Sequence, residues 1–200
     1  MSSEPTFIEQ VSKLKKDYIQ SRKNLIEKDI PKWIVILSEF LGKTTNCIYT
    51  PLTYEEIQTM QIVEMQNFAT NATYNLRMIY ADLLIGMDLT IGPQKMNESV
   101  QQQIKKFCMN EIRQADSQLF DFISTIVAYY DLRGRLTVKY VKHANSDFAD
   151  SVKMLDSEHR YLIYMFLRIM RDNLLSIHDS LMKNAVAVDS MPEKDVEYHR

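Results

Sequence analysis

Apolar residues recur along the chain at steps of three and four, the spacing of a helix that keeps one face on a core. In the first such stretch, about Pro5 to Leu41, Phe7, Val11, Leu14 and Tyr18 are followed by Ile26, Ile30, Trp33, Leu37 and Phe40. Pro31 lacks an N–H and its ring strikes the preceding turn, so the helix is expected to bend or restart there, and Gly42 is its expected C-terminal stop. "KTTNCIYTPLT" reads as a polar joint. Thr53 with Glu56 three residues later forms a capping box for a second helix, whose stripe is Ile57, Ile62, Met65, Phe68, Leu76, Ile79 and Leu83. In "GMDLTIGPQKMNES", Gly86, Gly92 and Pro93 are expected to break the helix. A third helix starts at Asn97 to Ser99 and runs to about Lys142, with Gly134 inside it at a cost of about 1 kcal/mol relative to alanine. The "HANSD" turn supplies Ser146 or Asp147 as N-cap of a fourth, which ends near Val188. "DSMPEKDVEYHR" has too little apolar surface to fold alone and reads as a flexible tail.

Helices at about 5–42, 54–86, 98–142 and 147–188, joined by short connections, predict an all-α fold, an antiparallel four-helix bundle of long helices in one domain, with a loop at 87–97 and a tail at 189–200. Only four glycines and five prolines interrupt 200 residues, too few for the frequent turns of a β fold. A helix in a bundle spends one stripe on the core, yet "LFDFISTIVAYY" is apolar on more than one face. Between Tyr161 and Met170 the only charged residue is Arg168. That run is about half the length a membrane span needs. A second copy of the chain is the simplest cover for the surplus faces, since closed homo-oligomers are the commonest soluble assemblies.

Composition narrows the function by exclusion. The N-terminus shows no secretory signal pattern, so the chain is expected in the nucleus or cytoplasm, where Cys47 and Cys108 would remain thiols. Asn71 and Asn97 then carry no glycan despite their triplets. The net charge of -2, with scattered basic residues, gives no nucleic-acid footprint. A di-metal bundle site needs paired Glu-x-x-His motifs, and none occurs. Asp156 and His159 have the i, i+3 spacing without a second pair, and are expected to be a surface pair on the fourth helix. His178 and Asp179 are adjacent and point about 100° apart. His143 falls in a turn and His199 in the tail. No nucleophile elbow, P-loop or dinucleotide fingerprint is present, so no enzyme activity, metal or cofactor is expected.

Four stretches, "LIEKDIPKWIVILSEFL", "STIVAYYDLRGRLTVKYVKH", "DFADSVKMLDSEHRYL" and "LRIMRDNLLSIHDSLMKN", are similar in order and spacing to the 11S proteasome activators, most nearly the gamma type. The likeness covers most of 7–42 and 75–188 and is weak between Lys43 and Asn71. It implies a homoheptameric ring that caps the 20S proteasome without ATP. It also implies that C-terminal tails bind the α subunits and that the loop between the second and third helices opens the gate. By position, the loop is Asp88, Leu89, Thr90, Ile91, Gly92, Pro93, Gln94, Lys95 and Met96, and the docking tail is Val196, Glu197, Tyr198, His199 and Arg200. Two departures stand out. The family's Asn-Asp/Asn-Phe-Gly-Val stretch is replaced by "GPQKMNESV", and the tail ends in Tyr-His-Arg rather than in an apolar residue and tyrosine. The rival readings are a helical scaffold that oligomerises without opening a gate and, less well supported, a metal-dependent bundle enzyme.

Overall fold

A computed structural model describes residues 6–48, 60–91 and 99–189. The fold is all-α, a helical bundle. Helix α1 (Phe7–Asn24) leads through a π-helical turn (Leu25–Asp29) into α2 (Ile30–Ile48). Three long helices follow, α3 (Met60–Asp88), α4 (Val100–His143) and α5 (Ser146–Lys183), and then the short α6 (Ala185–Asp189). No described helix is long and apolar enough to cross a membrane.

The ends follow local chemistry. Thr6 N donates to Glu9 Oε2 at 2.7 Å and opens α1. Ser99 and Gln102 exchange bonds at the start of α4, Gln102 N to Ser99 Oγ at 3.3 Å and Ser99 N to Gln102 Oε1 at 3.2 Å, a capping box. The restart expected at Pro31 takes the form of the π turn. Ile30 N donates to Leu25 O, five residues back, and the widened turn makes room for a ring that a regular helix would strike.

Four local expectations are corrected. Gly42 does not end its helix, which continues to Ile48: no described glycine has a positive φ, and a glycine in αR geometry stops nothing. Gly86 likewise lies inside α3. The cap of α5 is Asn145, whose Oδ1 accepts from Asp147 N at 2.9 Å, rather than Ser146 or Asp147. The last long helix pauses at Asn184 before α6. The capping box at Thr53 and Glu56, and the side chain of Cys47, lie outside the described residues.

The chain divides into two compact units. The first comprises residues 1–32, 78–114 and 174–200, and the second 33–77 and 115–173. In the first, Ile26, Ile30, Leu83, Met87, Met109, Ile112, Leu174 and Leu181 are buried. In the second, Leu37, Met65, Leu76, Leu119, Ile163 and Leu167 form the core. Two ring stacks add to it, Phe40 on Phe68 and Phe122 on Phe166, each with centroids 3.7 Å apart. Stripe positions Phe7 and Leu14 are exposed instead, so α1 enters the core only from Arg22 onward. The second unit also carries the surplus faces. Phe120, Val127, Tyr130, Tyr161, Leu162 and Ile169 are all exposed on the single chain.

Candidate functional site

Where α3 ends, two buried cations meet main-chain carbonyls, one in its last turn and one just beyond it. The last carbonyls of a helix have no intrahelical donor and carry partial negative charge, which favours a cation beside them. Arg22, 1% exposed, donates from Nη1 to Gly86 O at 3.1 Å. Lys105, 2% exposed, donates from Nζ to Thr90 O at 3.0 Å. Glycine at 86 lets α1 come this near: a Cβ there would lie 3.3 Å from Arg22 Cβ and 3.5 Å from Tyr18 O. Its role is close approach, not helix breaking.

The chain then leaves the helix in a tight turn. Leu89 N donates to Ile85 O at 3.0 Å, Thr90 N to Met87 O at 3.0 Å and Ile91 N to Asp88 O at 3.1 Å. Thr90 Oγ1 also reaches Met87 O at 2.8 Å. Of the loop residues singled out from the sequence, Asp88 is the exposed last residue of α3, Leu89 and Ile91 are half-buried and Thr90 is buried. Gly92, Pro93, Gln94, Lys95 and Met96 lie outside the described residues, as do the tail residues Val196, Glu197, Tyr198, His199 and Arg200. The tail is rooted by α6, where Ala187 and Val188 are buried. Both roots belong to the first compact unit.

Sequence reasoning passed over Arg22 and Lys105, though a signal was present. Arg22 keeps the helical register of buried Ile26 and Ile30, and Lys105 that of Cys108, Met109, Ile112 and Ala115. A cation in register with an apolar stripe is either snorkelling or bonded inside.

The second unit holds a different cluster. Asp156 is fully buried and His159 is 3% exposed, which overturns the surface-pair expectation. Asp156 Oδ1 accepts from Tyr129 OH at 2.7 Å and from Arg133 Nε at 2.9 Å, and Oδ2 accepts from Arg133 Nη2 at 3.2 Å. Burial, and then the bond to this carboxylate, push the Tyr129 hydroxyl well above its ordinary value and keep it a donor. Arg133's own bonds to Asp156 raise its pKa against the desolvation that opposes it. His159 stacks on Tyr129 with centroids 3.7 Å apart, and burial lowers its pKa to about 4, so it is neutral at pH 7. Tyr130 OH donates to Gln66 Oε1 at 2.7 Å.

Burial raises the Cys108 thiol and leaves it protonated and enclosed. Among the described residues no group of three His, Cys, Asp or Glu side chains is placed to hold a metal ion.

The profile of the family described as "Proteasome activator PA28, C-terminal" matches residues 94–196, just over half of the chain. The chain belongs to the PA28 proteasome activator family. Solved structures agree on the fold. The 11S subunit of the Plasmodium falciparum proteasome, PA28, superposes with a TM-score of 0.77 at 20% identity, over 94% of this chain and 95% of that one. The mutated P26 activator in complex with an archaeal 20S proteasome gives 0.68 at 9% identity, over 94% and 99%. PA26 from Trypanosoma brucei, in complex with the yeast 20S proteasome, gives 0.62 at 8% identity, over 90% and 88%. No curated protein matches the sequence. The PA28 assignment agrees with the resemblance read from the four sequence stretches.

Proposed function

We propose that this PA28-family chain is an ATP-independent regulatory cap of the 20S proteasome that works as a homoheptameric ring of the gamma type. It has no enzymatic activity of its own and acts in the nucleus, the cytoplasm or both. The observation that carries this reading is the rooting of the loop at Asp88 to Ile91 and of the tail at α6 in one compact unit, as a cap with two points of action on one target requires. The exposed apolar faces around Tyr130, Leu162 and Ile169 support self-assembly, because a second copy would remove them from water.

The two elements divide the work. A short tail loses conformational entropy when it docks, so one copy binds weakly. Several on one ring act at roughly millimolar effective concentration and bind strongly together. In this division Val196 to Arg200 supply affinity for the α subunits. The segment Asp88 to Met96 acts on the gate, and does so only by contacting the open state better than the closed one.

The test is hydrolysis of fluorogenic peptides by isolated 20S particles with and without the full-length chain. Stimulation that disappears when the last five residues are removed is the expected result. Binding without stimulation would support the scaffold reading instead, which the replacement of the family's loop stretch by "GPQKMNESV" favours. Sedimentation as a lone 23.5 kDa particle at micromolar concentration would exclude the ring.

A further inference from the structure

We propose that Lys105 and Arg22 are positioning residues that fix the direction in which the chain leaves α3, and so hold the gate-facing loop in its working place; this rests on the reading of that loop given above. The argument begins with cost. Burying an ammonium or a guanidinium carries a desolvation penalty, and apolar side chains of similar size commonly give equal or better stability. Packing alone therefore does not call for a cation at either place. What an apolar side chain does not supply is a directed hydrogen bond, and both cations direct one at a main-chain carbonyl: Gly86 O in the last turn of α3, and Thr90 O just beyond it.

The two bonds come from different helices, α1 and α4, and grip a stretch only five residues long. One attachment would leave the segment free to swivel about it; two from separate helices fix its orientation. Thr90 closes the arrangement through its own bond to Met87 O. A loop whose root is held in this way has less ordering left to do at the moment of contact than one with a loose root, which would lose that cost from its preference for the open gate. Docking by the tails does not depend on this geometry.

The test compares the full-length assembly carrying Lys105→Met with Lys105→Arg and Arg22→Met. Lys105→Met should keep its assembled mass and its co-sedimentation with 20S particles. Its maximal stimulation of peptide hydrolysis should fall about tenfold, the scale set by losing one hydrogen bond to a charged group. The concentration for half-maximal effect should stay unchanged, and Lys105→Arg should restore most of the stimulation. On the assembly alone, amide exchange at Leu89, Thr90 and Ile91 should quicken by about the same factor, while the interior of α4 stays protected. Unaltered stimulation by Lys105→Met, or unaltered exchange at these three amides, overturns the proposal. So does failure of both methionine variants to assemble, which would make the cations structural. An unmodified chain that does not stimulate at all defeats the loop reading, whereas the exchange result bears on the anchor alone.

Discussion

The two compact units bury charge for different purposes. In the first, Arg22 and Lys105 direct their donors at main-chain carbonyls, and what they hold is a segment of backbone at a helix end. In the second, Asp156 is held by two side chains, Tyr129 and Arg133, and what is tied together is α4 to α5. A main-chain carbonyl is present at every residue, so the first arrangement is marked by no residue type at the accepting end. A buried carboxylate is costly without donors, and Asp156 accepts three hydrogen bonds from Tyr129 and Arg133. The contrast predicts that deleting charge in the second unit lowers stability most, while deleting it in the first changes motion and function more than stability.

The largest effect is expected at Asp156. Asp156→Ala leaves the buried Tyr129 hydroxyl and the Arg133 guanidinium without their acceptor, and breaking such a pair from one side typically costs 3 to 5 kcal/mol. Arg133 is 34% exposed and can turn partly to water, which places the expected loss near the lower limit, at about 3 kcal/mol. Lys105→Met should cost less, about 1.5 kcal/mol, because methionine fills the space and the bond lost is the one to Thr90 O. Urea unfolding of both variants at one protein concentration makes the comparison. Equal losses would erase the distinction between the two units.

Acid sharpens it. His159 has an ordinary pKa near 6.5 when unfolded and about 4 when folded, because burial disfavours its charged form and the nearby Asp156 only partly compensates. The folded value is the lower one. Below about pH 6.5 the unfolded chain takes up a proton that the folded chain refuses, so the contribution of neutral His159 is complete above that pH and fades as the pH falls to about 4. The loss is on the order of 2 kcal/mol over that window. His159→Phe, which preserves a ring against Tyr129, should flatten the slope of stability between pH 6.5 and pH 4. A slope unchanged in that variant would assign the acid sensitivity to other groups.

How much of this was legible depends on what kind of fact is asked for. The stripe of Ile62, Met65, Leu76, Ile79 and Leu83 was readable and is buried, because α3 keeps one face inward throughout. The same spacing in Phe7, Leu14 and Tyr18 misled, since periodicity reports that residues share a face and is silent on what covers it. Asp156 and His159 were mistaken for surface residues by their charge. Their register was available: Asp156, Arg160, Ile163, Leu167, Met170 and Leu174 step by four and three along one buried line. Gly86 was taken as a breaker because glycine has two uses, turning and close approach, and only the neighbour Arg22 distinguishes them. The loop's root became visible through carbonyl bonds that no motif encodes. Its distal residues, where the sequence also departs from the family, remain assigned by position.

The smallest effect tests how the second unit ends its own long helix. The C-terminus of α4 has Lys142 and His143 in its last turn, as α3 has cations at its end, but both are exposed. Closure falls instead to Ala144, which adopts a positive φ of 48° and donates its N–H to Tyr140 O at 2.8 Å. A left-handed conformation costs a residue with a Cβ about 1 to 2 kcal/mol, and glycine escapes that cost while adding roughly 0.5 to 1 kcal/mol of unfolded-state entropy. Ala144→Gly should therefore stabilise the protein by about 0.5 kcal/mol, a rise in Tm of about 1 to 2 °C for a chain of this size. Calorimetry at fixed concentration measures it. A fall in Tm would mean that this turn depends on contacts of the Ala144 methyl rather than on local backbone geometry, and the contrast with the charge-anchored end of α3 would have to be redrawn.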